Sequence, residues 1–171
     1  ALLEYCRGER EIPAWGISTA DYHEEGLGGE KLGNFPTVFL VKKKTRDEVL
    51  LALKQGRMYA CRSGNNFQRF VLQDFSVSDS NTNSQANMGD TLELNSKPEI
   101  RINVSSSDQK VHNVDVRIIR SGKLIRTISK TTPFAVDFKD DYFNPGELIY
   151  YRLEIPGKLV SNPIFVKFGR D

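Results

Sequence analysis

Apolar and polar positions along the chain follow two different periods, and the change falls near residue 67. Over residues 1–66 the pattern predicts alternating helix and strand. Ala1-Leu2-Leu3-Glu4-Tyr5-Cys6-Arg7 reads as the last turns of a helix ending near Gly8. A short strand is expected around Ala14-Trp15-Gly16-Ile17-Ser18, then a glycine-rich loop, Glu25-Gly26-Leu27-Gly28-Gly29. The run Thr37-Val38-Phe39-Leu40-Val41 is continuously apolar between Pro36 and Lys42-Lys43-Lys44. Such a run suits a strand covered on both faces, as in a parallel sheet. A helix is expected over 46–55, with Thr45 and Glu48 at capping-box spacing. Val49, Leu50 and Leu53 form its expected buried stripe, and Gly56 ends it with a left-handed residue. Strand, loop, strand and helix in that order predict the closing segment of an α/β barrel, too short to be a whole one.

Beyond residue 67 the period is two. Ile100, Ile102 and Val104 alternate with Arg101 and Asn103, and Val114, Val116 and Ile118 alternate with Asp115 and Arg117. Arg120-Ser121-Gly122-Lys123 reads as a tight hairpin turn, returning through 124–128. Further strands are expected over 70–77, 91–94, 134–138, 151–155 and 164–168, while 78–87 reads as a long exposed polar loop. Each strand has one apolar face that needs a facing sheet, so residues 67–171 predict an immunoglobulin-like β-sandwich. The expected fold class is therefore mixed: a truncated α/β segment over 1–66, then an all-β sandwich over 67–171.

Composition narrows the class. Hydrophobic residues make up 39% and charged residues 27% of the 171 positions, the balance of a soluble globular protein. No apolar run is long enough to span a bilayer. With 24 basic and 22 acidic side chains the net charge is +2, which gives no electrostatic case for a nucleic-acid or membrane partner. Cys6 and Cys61 have no metal-binding or CxxC spacing and read as reduced thiols packed as small hydrophobes. They leave the compartment, cytoplasmic or exported, open. The start without methionine reads as part of something longer.

One constellation carries candidate chemistry: Trp15-Gly16-Ile17-Ser18-Thr19-Ala20-Asp21-Tyr22-His23. In an extended segment Asp21 and His23 project to one side and Tyr22 to the other. A carboxylate and an imidazole side by side suit a divalent ion such as Zn, Mn or Fe. The same residues also read as an ordinary turn, with Asp21 capping it and His23 hydrogen-bonded nearby. Arg57 and Arg62 read first as structural, pairing with a neighbouring carboxylate or carbonyl, and are also candidates for anion or substrate recognition, since guanidinium forks suit phosphate. Lys42-Lys43-Lys44 reads as a solvated turn and His112 as a surface loop residue before the strand at Val114. The aromatic residues Phe134, Phe138, Tyr150, Tyr151, Phe165 and Phe168 fall mostly on alternating positions and read as core, or as lining for a carbohydrate or peptide groove.

The order of these parts resembles the PHP (polymerase and histidinol phosphatase) superfamily of metal-dependent phosphoesterases, in the branch with an appended β-sandwich. Gly16, Ser18, Asp21 and His23 match a Gly-x-Ser-x-x-Asp-x-His-like motif. Gly56-Arg57-Met58-Tyr59 matches the segment ending the following helix, and Gly89-Asp90-Thr91 and Asn162-Pro163-Ile164 match two motifs of the sandwich. The resemblance implies the C-terminal fragment of a hydrolase of phosphate or related esters acting through metal-activated water, with Asp21 and His23 as its last two ligands. It implies a divalent metal, a small ester substrate, and an N-terminal barrel segment carrying the remaining ligands. On its own such a fragment is expected to bind metal weakly, to hydrolyse little, and to pack its open strands on the sandwich or pair them in a homo-oligomer. The alternative is a non-catalytic sandwich that recognises protein or carbohydrate.

Overall fold

The computed structural model describes residues 1–26, 31–64, 66, 68–79, 81–82 and 84–170. Two β-sheets face each other across one core. The smaller has four antiparallel strands in the order β4 (Gln85–Asn87), β3 (Phe70–Asp79), β6 (Pro98–Ser106), β9 (Phe134–Lys139). Alternation puts Ile100, Ile102 and Val104 of β6 on the inner face, each fully buried. On β3 the inward residues are Phe70 and Leu72, then Phe75 and Val77, a change of parity. The register shift between Leu72 and Asp74 absorbs it, so a one-residue bulge keeps all four on the core side.

The larger sheet is organised about β10 (Leu148–Ile155). On one side β10 pairs with β7 (Asn113–Arg120), which pairs in turn with β8 (Lys123–Thr131). On the other side lies its return strand, in two pieces: β11 (Leu159–Ser161) and β12 (Ile164–Phe168). The break falls at Asn162-Pro163, where proline has no N–H for the ladder, and the register slips by one residue across it. Beyond the break the sheet forks. β11 pairs with β2 (Met58–Cys61), and β12 pairs with β5 (Thr91–Leu94). Beyond β2 lies β1 (Thr37–Phe39).

The larger sheet is covered on its outer side too. Tyr150 and Phe165 are buried there, opposite in parity to the core residues Tyr151, Ile164 and Val166. Tyr5 of helix α1 (Leu2–Cys6) packs edge-on to Phe165 at 4.8 Å between ring centres, and Trp15 packs on the same ring at 6.1 Å. The second helix, α2 (Arg46–Gln55), buries Ala52.

The expectation of a truncated α/β barrel is corrected. Among the described residues there are two helices and no barrel, and the chain is dominated by antiparallel strands. β1 and β2 pair antiparallel, with Val38 opposite Tyr59, and β2 is built into the sandwich sheet through β11. Among the described residues the one parallel pairing is β12 with β5. The apolar run at 37–41 reflects Val38 packing on the sandwich core, with all three strand residues only partly buried, not a strand closed in between two layers. Residues 14–18 form no strand; their apolar character comes from Trp15, which lies on Phe165.

Other expectations are met or modified locally. α2 spans 46–55 as expected, Thr45 Oγ1 accepts the Glu48 N–H at 3.4 Å, and Gly56 takes φ 72. Glu48 does not reach back to its cap; its Oε2 accepts from the Lys42 N–H at 3.4 Å. Leu50 and Leu53 stay 42% and 39% exposed, so the helix buries its small residue and presents its large ones. The polar stretch 78–87 is not one loop: β3 runs to Asp79, β4 occupies Gln85–Asn87, and Ala86 is buried. The glycine-rich loop expected at 25–29 lies largely outside the described residues. Cys6 and Cys61 are free thiols, and burial pushes both up to about 11, away from thiolate chemistry at neutral pH. Among the described residues no helix is long and apolar enough to cross a membrane.

Candidate functional site

The break at Asn162-Pro163 exposes backbone groups that a continuous ladder would use, and the chain fills them from remote segments. Asn162 is 3% exposed, and its side-chain amide grips Gly16 by both backbone groups. The Gly16 N–H donates to Asn162 Oδ1 at 2.7 Å, and Asn162 Nδ2 donates to the Gly16 carbonyl at 3.2 Å. The amide thereby stands in for a neighbouring strand. The Pro163 carbonyl accepts from the Gly89 N–H at 2.8 Å, and the Asp90 carbonyl accepts from the Phe165 N–H at 2.9 Å.

Two glycines permit the close packing at this seam. Gly56, left-handed at the end of α2, lies against the Trp15 indole, where an added Cβ would overlap the ring. Gly89, with φ 88, lies against the Gln55 carbonyl, where a Cβ would collide with backbone. The Trp15 indole N–H donates to the Lys54 carbonyl at 3.0 Å, fixing the ring between α2 and the sheet. Residues separated by as many as 146 positions thus meet in one place.

From this seam the chain runs on to Asp21 and His23. Ser18 is held on the way: its N–H donates to Thr37 Oγ1 at 2.9 Å, the Thr37 hydroxyl donates back to the Ser18 carbonyl at 3.1 Å, and the Ser18 hydroxyl donates to the Cys61 carbonyl at 3.2 Å. Asp21 and His23 are both exposed. Asp21 adopts φ 48, so the extended geometry expected to carry the two side chains to one side is absent, and the chain then bends at residues 24–26. The Tyr22 hydroxyl donates to Glu25 Oε2 at 3.3 Å. No group of three or more His, Cys, Asp or Glu residues able to hold a metal is found among the described residues. This donor set is a partial fit to a divalent ion: it provides two candidate ligands and no closed shell.

The other candidates are dispersed. Arg57 and Arg62 flank β2 at opposite ends, the Arg57 carbonyl accepting from Leu40 N–H and the Arg62 N–H donating to the Lys158 carbonyl. The Arg57 guanidinium bonds Gln55 Oε1, while Arg62 lies 5.7 Å from the centre of the Phe35 ring. His112 is half-buried rather than fully at the surface, its Nε2 2.9 Å from Asp108 Oδ2. Hydrogen bonds to Asp108 from the Ser106 hydroxyl at 2.6 Å, foremost, and from the Lys110 N–H hold its carboxyl down at about 2. Of the aromatic candidates, Tyr151 and Phe168 are core, and Tyr150 and Phe165 form the outer-face cluster.

Sequence reasoning passed over two features. Arg120 donates to both oxygens of the buried Asp140, at 2.9 and 2.7 Å, and the Tyr151 hydroxyl donates to the same carboxylate at 2.6 Å. A structural lock of this kind is invisible in a strand pattern. Arg69 lines a cavity beside β1; nothing in its sequence context marks it. No known family model matches the chain, and no curated protein sequence matches it significantly.

Proposed function

We propose that the chain supplies the last two ligands, Asp21 and His23, of a metal-dependent hydrolase of phosphate or related esters, the other ligands coming from elsewhere in the protein that contains it. A divalent ion held there, Zn, Mn or Fe, would acidify a bound water and steady charge on the ester oxygens. The observation that supports this reading is the convergence of the motif residues. Gly16, Gly56, Gly89-Asp90 and Asn162-Pro163 are scattered in sequence and meet at one seam, and Ser18 is held just beyond it, three residues before Asp21. Anchoring of residues 15–18 by a buried asparagine and two close-packed glycines supports a role for the exposed Asp-Tyr-His segment that follows.

The test uses protein expressed from the complete reading frame. It is expected to hold more than one divalent ion by elemental analysis and to hydrolyse a phosphate ester, and both properties should fall sharply in Asp21→Ala and His23→Ala. Unchanged metal content in both variants overturns the reading.

A second reading, a non-catalytic interaction module, is favoured by the exposure of Leu50, Leu51 and Leu53 along α2. Exposed large apolar side chains side by side mark contact surfaces. That reading expects neither bound metal nor any effect of the two substitutions on hydrolysis.

A further inference from the structure

A cavity of about 540 Å³ opens beside β1, lined by Gly33, Pro36, Thr37, Val38 and Arg69, a size that takes a small ligand. Its walls are tied down. The Ser63 hydroxyl donates to the Gly33 carbonyl at 2.6 Å, and the Cys61 N–H donates to the Pro36 carbonyl at 2.9 Å. The backbone of Arg69 is gripped from both sides by Ser107: its N–H donates to Ser107 Oγ at 3.0 Å, and its carbonyl accepts the Ser107 N–H at 2.9 Å. The Arg69 guanidinium has no hydrogen-bond or ion-pair partner among the described residues, and Arg69 is the one charged residue among the lining residues described. Thr37, in the same lining, is the residue bonded twice to Ser18, three positions before Asp21.

We infer that this cavity binds the anionic end of a small phosphate ester, with Arg69 as the group that recognises the anion. The inference rests on the proposed hydrolase function for the substrate class, and on the cavity alone for the site. Arg57 and Arg62, the residues singled out from sequence, do not line it. Their guanidinium groups meet Gln55 and the Phe35 ring.

The test is a titration of the 171-residue chain with inorganic phosphate in the presence of a chelator, followed by NMR. Saturable shifts are expected at the Arg69 side-chain N–H and at the Thr37 and Val38 amides. Arg69→Gln should weaken phosphate binding about tenfold, the loss expected for one charge-assisted fork. Arg69→Lys should fall between, and Arg62→Gln should leave binding unchanged. Absence of saturable shifts, or equal binding by Arg69→Gln with an unchanged fold, overturns the inference. Because metal is absent from this titration, its failure leaves the role of Asp21 and His23 standing, and failure of metal binding leaves the phosphate result standing.

Discussion

The Asn162 side chain holds Gly16 by its N–H and its carbonyl together, across 146 positions of sequence. An amide on a buried strand break thereby anchors a segment that has no strand of its own. Two net hydrogen bonds are at stake, each worth about 1 kcal/mol. Asn162→Ala should lower stability by roughly 1–3 kcal/mol in denaturant unfolding. It should also raise the hydrogen-exchange rates of Gly16 and Ser18 far more than those of β6. Uniform loss of protection would place the role of Asn162 in the core instead.

Gly89 tests the same seam from the opposite side. Its φ of 88 and its contact with the Gln55 carbonyl leave no room for a side chain. Gly89→Ala is expected to cost about 3 kcal/mol, from left-handed strain and from displacement of the end of α2. The Trp15 fluorescence should shift with it, since that indole is packed on the neighbouring Gly56 and bonded to Lys54.

Much of this fold is legible in the residues, for identifiable reasons. Period-two alternation locates β6, β7, β9 and the inward side chains of β12, and the cap at Thr45 with Gly56 brackets α2. The failures have physical causes as well. An indole packed on Phe165 gives 14–18 the apolar look of a strand. β1 looks like a parallel-sheet strand because Val38 faces the sandwich core, and hydrophobicity does not encode strand direction. The helical stripe misleads because Ala52, not Leu50 or Leu53, is the buried position. In the candidate site the motif residues were visible, but the Asn162–Gly16 grip was not, since no local pattern links residues so far apart.

The pair Asp108 and His112 gives a signed prediction for pH. The folded carboxyl of Asp108 sits at about 2, below its ordinary 3.8, chiefly because the Ser106 hydroxyl donates to the charged form. A depressed folded value means that its stabilisation is present above about pH 4 and is lost as pH falls toward 2. Asp108→Asn should therefore flatten the stability profile in that window. Urea midpoints measured at intervals through the window check this; an identical profile for the variant would remove Asp108 from the acid response.

The proposed hydrolase role requires Asp21 and His23 to hold a metal together. Manganese(II) added to the 171-residue chain at millimolar concentration provides the measurement, through paramagnetic broadening of amide and imidazole resonances. Two ligands predict weak but localised binding, with broadening centred on residues 21–23 and abolished in either Asp21→Asn or His23→Gln. Broadening spread over the exposed carboxylates, and insensitive to both substitutions, would contradict it.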